Sequence, residues 1–178
     1  MALAAVALQA GDYEEAYSAA RVARGLEPTL SRAAAHEARA LALSGRPDEC
    51  LDLPLGAYAL IHALCLEVAG RERGALALVR QAEAALAAGD TGSPDYLGDL
   101  MAAELAAYYG FRGDASTAAR WLVDSFDRSP VGVDPRIVGS ALFEPVRDDP
   151  IFTEALERAQ RDAEARIRSR QAEMTGLS

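Results

Sequence analysis

Reactive side chains are sparse in this chain, and the ones that gather are cationic. Arg32 and Arg39 lie seven residues apart, so a helix would set both on one face, with His36 between them on the adjacent face. A guanidinium is planar and grips a carboxylate through two parallel hydrogen bonds, so this group offers recognition of an acidic partner. The plainer alternative is that Arg32 and Arg39 only solvate an acidic surface. No metal is expected: His36 and His62 lack a His-Glu-x-x-His helix, a paired Cys-x-x-Cys or a third ligand at useful spacing. Neither a Gly-x-Ser-x-Gly elbow nor a glycine-rich loop ending in Gly-Lys-Ser or Gly-Lys-Thr is present, so acyl transfer and nucleotide hydrolysis have no starting point. Glu14 and Glu15 follow a helix start, Asp148 and Asp149 precede Pro150 as caps, and no carboxylate pair is singled out for acid and base work. The expectation is a chain with no cofactor and no catalytic residue.

The elements that would position the cations are written in small residues. Gly11, Gly45, Gly70 and Gly113 each have alanine seven positions before (Ala4, Ala38, Ala63, Ala106) and a small residue five after (Ala16, Cys50, Ala75, Ala118). Small side chains flanking a turn let two antiparallel helices cross closely, and stacked hairpins bury a core that one hairpin cannot. Helical periodicity places helices at about 1–10, 13–26, 30–44, 57–69 and 72–88, with a short one at 48–53 ended by Pro54. Another should start at Ser93-Pro94 and run to Phe111, with its partner ending near Ser129-Pro130. Gly110, Arg112 and Gly113 are expected to form the turn between those two.

The glycine steps are 34, 25 and 43 residues, so the two irregular steps together equal two of 34. Gly11-Asp12-Tyr13-Glu14-Glu15-Ala16 with Ala23 and Pro28, and Gly113-Asp114 with Ala118 and Pro130, resemble the tetratricopeptide repeat. That resemblance covers about 1–130 and implies an all-α fold, a right-handed superhelix of helical hairpins whose first helices line a concave groove. It departs from the family where Glu37 replaces a usual leucine and where the early aromatic of each first helix is missing. The implied groove positions fall 13, 10, 6 and 3 before each glycine: Arg32, Ala35, Arg39 and Ala42; Ala57, Leu60, Leu64 and Glu67; Leu100, Ala103, Ala107 and Gly110. His36 and Phe111 lie beside them. The implied function is a non-catalytic scaffold that binds a protein or peptide, the alternative being a sensing domain that controls an attached output domain. The first hairpin lacks the front of its first helix, which reads as a fragment or as a continuation of further repeats.

Residues 131–173 read as capping helices, one from Asp134-Pro135 to about Leu142 and one from Asp149-Pro150 to about Glu173, with a disordered tail at 174–178. The stripe Phe152, Leu156, Ala159, Ala163 and Ile167 suits a cap on the array; a dimerising coiled coil would use the same stripe. Leu142 to Phe152 resembles the ending of repeat regions in bacterial signalling proteins. The net charge of −9 argues against nucleic acid, and the exclusive use of arginine among the basic residues reads as a coding bias. Cys50 and Cys65 are expected as buried free thiols, with a disulfide unfavoured. No apolar stretch is long enough to cross a membrane, and the expected compartment is the cytoplasm.

Overall fold

In the computed structural model, residues 2–28, 31–55, 58–89, 96–128 and 139–176 are described. Among them every regular element is helical. They are α1 (Ala2–Ala10), α2 (Tyr13–Leu26), α3 (Ser31–Leu43), α4 (Pro47–Leu51), α5 (Ala59–Val68), α6 (Glu72–Ala87), α7 (Tyr96–Phe111), α8 (Ala115–Arg128), a 3-10 helix (Ala141–Val146) and α9 (Pro150–Gly176). The expected helix start at Ser93-Pro94, the end near Ser129-Pro130 and the segment from Asp134 to 138 lie outside the described residues. Among the described residues no helix is long and apolar enough to cross a membrane.

Four turns share one construction. Gly11, Gly45, Gly70 and Gly113 have φ between 71° and 77°, a region that costs a side-chain-bearing residue steric strain. In each, the glycine N–H donates three residues back and the next N–H donates five back. The pairs are Gly11 to Leu8 with Asp12 to Ala7, Gly45 to Ala42 with Arg46 to Leu41, Gly70 to Glu67 with Arg71 to Leu66, and Gly113 to Gly110 with Asp114 to Tyr109, at 2.8–3.4 Å. Two carbonyls that the ending helix leaves open are thereby satisfied. The flanking small residues Ala4, Ala38, Ala63, Ala106, Ala16, Cys50, Ala75 and Ala118 are all 0% exposed. Asp12 and Asp114 then cap the next helix, accepting from Glu15 and Thr117 N–H groups at 3.0 Å.

The chain divides into two compact units, with the boundary inside α6 after Ala84. In the first, α2 packs on α1 and α3, and α3 packs on α4 and α5. Ala7, Leu8, Ala16 and Ala40 form one cluster, walled by Tyr13, Tyr17 and Leu43. Arg46 ties the second turn back to α2: its guanidinium lies 4.5 Å from the Tyr17 ring centroid and forms a two-bond pair with Glu49 at 2.7 and 2.8 Å. Cys50 and Cys65 form a disulfide with a Cα–Cα separation of 5.8 Å, which corrects the expectation of free thiols. The physical reason is the shortness of α4, which ends at Leu51 and lies directly against α5, bringing two buried sulfurs together.

In the second unit α7 packs on α8, and α9 packs along α8. Phe152, Ala159 and Ala163 are buried, with Leu156 and Ile167 half-buried, so much of the stripe on α9 is used within its own chain. Arg166 donates to the Phe126 carbonyl at 2.7 Å and to Asp127 at 3.0 Å, placing a cation at the carbonyl end of α8 where the helix dipole favours it. Asp149 caps α9 through the Ile151 N–H at 2.9 Å, and the helix runs on to Gly176, into the segment expected to be a disordered tail. The segment reaching Leu142, expected as the end of an α-helix, is a 3-10 helix over Ala141–Val146; Pro145 inside it has no N–H to give an α-helical bond.

Gly110 is a second correction. It lies within α7, short of the turn, and a Cβ there would meet Phe143 Cδ1 at 2.8 Å and the Leu142 carbonyl at 3.1 Å. Phe143 is 0% exposed and stacks on Phe152 with centroids 5.3 Å apart. The glycine is there to admit an aromatic ring.

Candidate partner-binding face

The helix α3 is enclosed by α1, α2, α4 and α5. Ala33, Ala34, Ala35, Glu37, Ala38, Ala40, Leu41 and Ala42 are all buried. What reaches the surface, among its described side chains, is Arg32, His36, Arg39 and Leu43, spaced i, i+4, i+7 and i+11 along one edge. Arg32 is exposed; His36, Arg39 and Leu43 are half-buried.

That edge differs from the expected groove in detail. Positions 13 and 6 before the glycine are open as expected, whereas Ala35 and Ala42 are buried and their successors His36 and Leu43 are open. The open stripe is turned by half a residue, roughly 50° about the helix axis. The packing of α3 between two sets of neighbours sets this rotation, which no local pattern encodes. Leu43 was missed, although continuing the helical spacing one step past Arg39 reaches it.

On α5 the expected Leu60 and Leu64 are buried, at 6% and 4% exposed, and serve packing; Glu67 is half-buried. On α7 Ala103 and Ala107 are buried and Phe111 is half-buried, while Glu104, nine before its glycine like His36, is half-buried too. The apolar middle of the expected groove is thus occupied by the protein itself. Within the first unit the open residues that survive from the expected set are Arg32, His36, Arg39 and Glu67.

Electrostatics sharpen the α3 edge. Glu37 is the only acid on that helix, and it turns inward. It is 2% exposed and accepts two hydrogen bonds from Arg24 of α2, at 2.6 and 3.1 Å. The carboxylate raises the Arg24 pKa above its ordinary value, mainly through that side-chain hydrogen bond. The internal pair turns the one carboxylate of α3 away from the side on which Arg32 and Arg39 lie. In a chain of net charge −9, the charged side chains that α3 itself sends outward are both arginines.

Elsewhere a surface hollow opens at the start of α6, lined by Gly70, Arg71, Glu72, Arg73 and Gly74. Among the described residues no three or more His, Cys, Asp or Glu side chains are grouped so as to hold a metal. Comparison with family models, curated proteins and solved structures gave no match to this chain.

Proposed function

We propose that this chain is a non-catalytic interaction module of a larger bacterial regulatory protein, a short tetratricopeptide-like array with a right-handed superhelical course and a helical cap at its end. It takes an acidic segment of a partner protein along the α3 edge. The observation that carries this reading is the exposure pattern of α3: a helix buried on every other side keeps Arg32, His36 and Arg39 at the surface and withdraws Glu37 onto Arg24. Two arginines seven residues apart match two acidic groups about 10 Å apart, two helical turns of a partner, by the rise of 1.5 Å per residue.

The test is recovery of bound proteins by the wild-type chain and by Arg32→Glu with Arg39→Glu. The double reversal should lose a specific partner at least tenfold, on the order expected for two charge-assisted contacts. Binding should also weaken as salt is raised through the physiological range. Unchanged recovery of every partner would overturn the assignment of this edge.

A further inference from the structure

The Cys50–Cys65 bond stands at a contact that the first unit also closes without one. Cys50 is five residues after Gly45 and Cys65 five before Gly70; the same two positions between Gly11 and Gly45 are Ala16 and Ala40. Each pair links the helix that follows one turn to the helix that leads into the next. Ala16 of α2 and Ala40 of α3 share one buried cluster, and Cys50 of α4 and Cys65 of α5 are joined through sulfur. All four residues are 0% exposed. Two small apolar side chains suffice at the first contact, and a buried thiol packs as a small apolar group. The second contact therefore has no need of a covalent bond to close.

The reduced state is provided for as well. Cys50 Sγ lies 3.1 Å from the Ala38 carbonyl oxygen of α3, an acceptor for the thiol once the bond is broken. What the bond changes is α4. That helix spans five residues, too few to hold itself, and it rests on α3 and α5. Its outer tie is the Arg46–Glu49 pair at the surface, of a kind that contributes little. Joined to α5 by sulfur, α4 cannot leave its neighbour; with two thiols it can. Because α3 packs on both α4 and α5, the bond also sets how firmly α3 is held.

We propose that Cys50–Cys65 is a reversible redox lock on the contact between α4 and α5, closed as the disulfide and released by a dithiol reductant. In the releasing step a thiolate of the dithiol attacks one sulfur, the Cys50–Cys65 bond breaks and a mixed disulfide forms; the second thiol of the reductant then displaces the remaining cysteine. Both cysteines end as thiols, each having gained one electron and one proton, and the dithiol ends as its own disulfide. Since both sulfurs are fully buried, the attack passes through a local opening of α4, without unfolding of the whole chain.

The test uses the full chain without denaturant. Dithiothreitol, quenched by acid before the chain is unfolded for alkylation, should leave both cysteines modified, while the helical circular-dichroism spectrum before the quench is unchanged. Oxidised glutathione should then rejoin them. Hydrogen exchange read by mass spectrometry should be at least about tenfold faster in the reduced chain over α4 and the parts of α3 and α5 packed on it, and equal in both states over α7 to α9. Cys50→Ala with Cys65→Ala, which places an alanine pair here as at Ala16 and Ala40, should fold, exchange like the reduced chain and ignore the dithiol. If that variant is unfolded, reduced wild type decides. A bond that yields only in urea, a reduced chain without its helical signal, cysteines that glutathione does not rejoin, or equal exchange over α4 in both states would overturn the proposal.

Discussion

Replacing Gly110 by alanine isolates a contact that local sequence rules would misjudge. Gly110 is helical with no positive φ, so helix propensity alone favours alanine by about 1 kcal/mol. The new Cβ would sit 2.8 Å from Phe143 Cδ1, 3.2 Å from its Cε1 and 3.1 Å from the Leu142 carbonyl oxygen. None of these can retreat cheaply, because Phe143 is fully buried and stacked on Phe152. Forcing an extra methyl into a packed core costs about 1–3 kcal/mol, and three contacts at 3.2 Å or less put this site at about 2–3, so the net effect is a loss of about 1 to 2 kcal/mol. Gly25 in α2 is the control: nothing lies within 4 Å of its would-be Cβ, so Gly25→Ala should gain about 0.4–1 kcal/mol. Urea unfolding followed by Trp121 fluorescence reads the first variant directly, since this sole tryptophan is on α8 of the same unit; circular dichroism reads the control. Gly110→Ala as stable as wild type would refute the packing argument.

Other predictions concern the disulfide and buried ion pair of the first unit and the cap of α8. Reduction of Cys50–Cys65, whose cysteines are 15 residues apart, should lower stability by about 3 kcal/mol on the loop-entropy estimate, seen as a lower urea midpoint with a phosphine reductant. Arg24→Ala strands the buried Glu37 carboxylate and should cost about 3 kcal/mol, whereas Arg24→Met with Glu37→Leu should be nearly neutral. Asp114 has its pKa lowered, chiefly by the Thr117 backbone N–H. A depressed carboxylate pKa stabilises the fold above the unfolded-state value and is lost as pH falls through the folded-state one. Asp114→Ala should therefore cost about 1 kcal/mol at neutral pH, and the gap to wild type should close below the ordinary carboxylate range.

Much of the fold was legible because its determinants are local. A positive φ demands glycine, and close crossings beside the turn demand small residues, so Gly11, Gly45, Gly70 and Gly113 with their buried neighbours could be read from spacing alone. The features that escaped depend on distant partners. Gly110 answers to Phe143, Cys50 to Cys65, and Glu37 to Arg24, pairs that only the packed chain brings together. The proposed binding edge was half legible. Arg32, His36 and Arg39 are grouped by helical spacing, but the burial of Leu60, Leu64, Ala103 and Ala107 follows from how whole helices rotate against one another.

Photo-crosslinking from α3 tests the account most directly. With a photoreactive residue at position 36, between Arg32 and Arg39, and separately at the exposed position 80 on α6, the cross-linked peptides of bound protein would be sequenced. The account predicts that position 36 captures a segment rich in aspartate and glutamate, that position 80 does not, and that Arg32→Glu with Arg39→Glu abolishes the capture. Equal capture from both positions, or a captured segment without acidic residues, would contradict it.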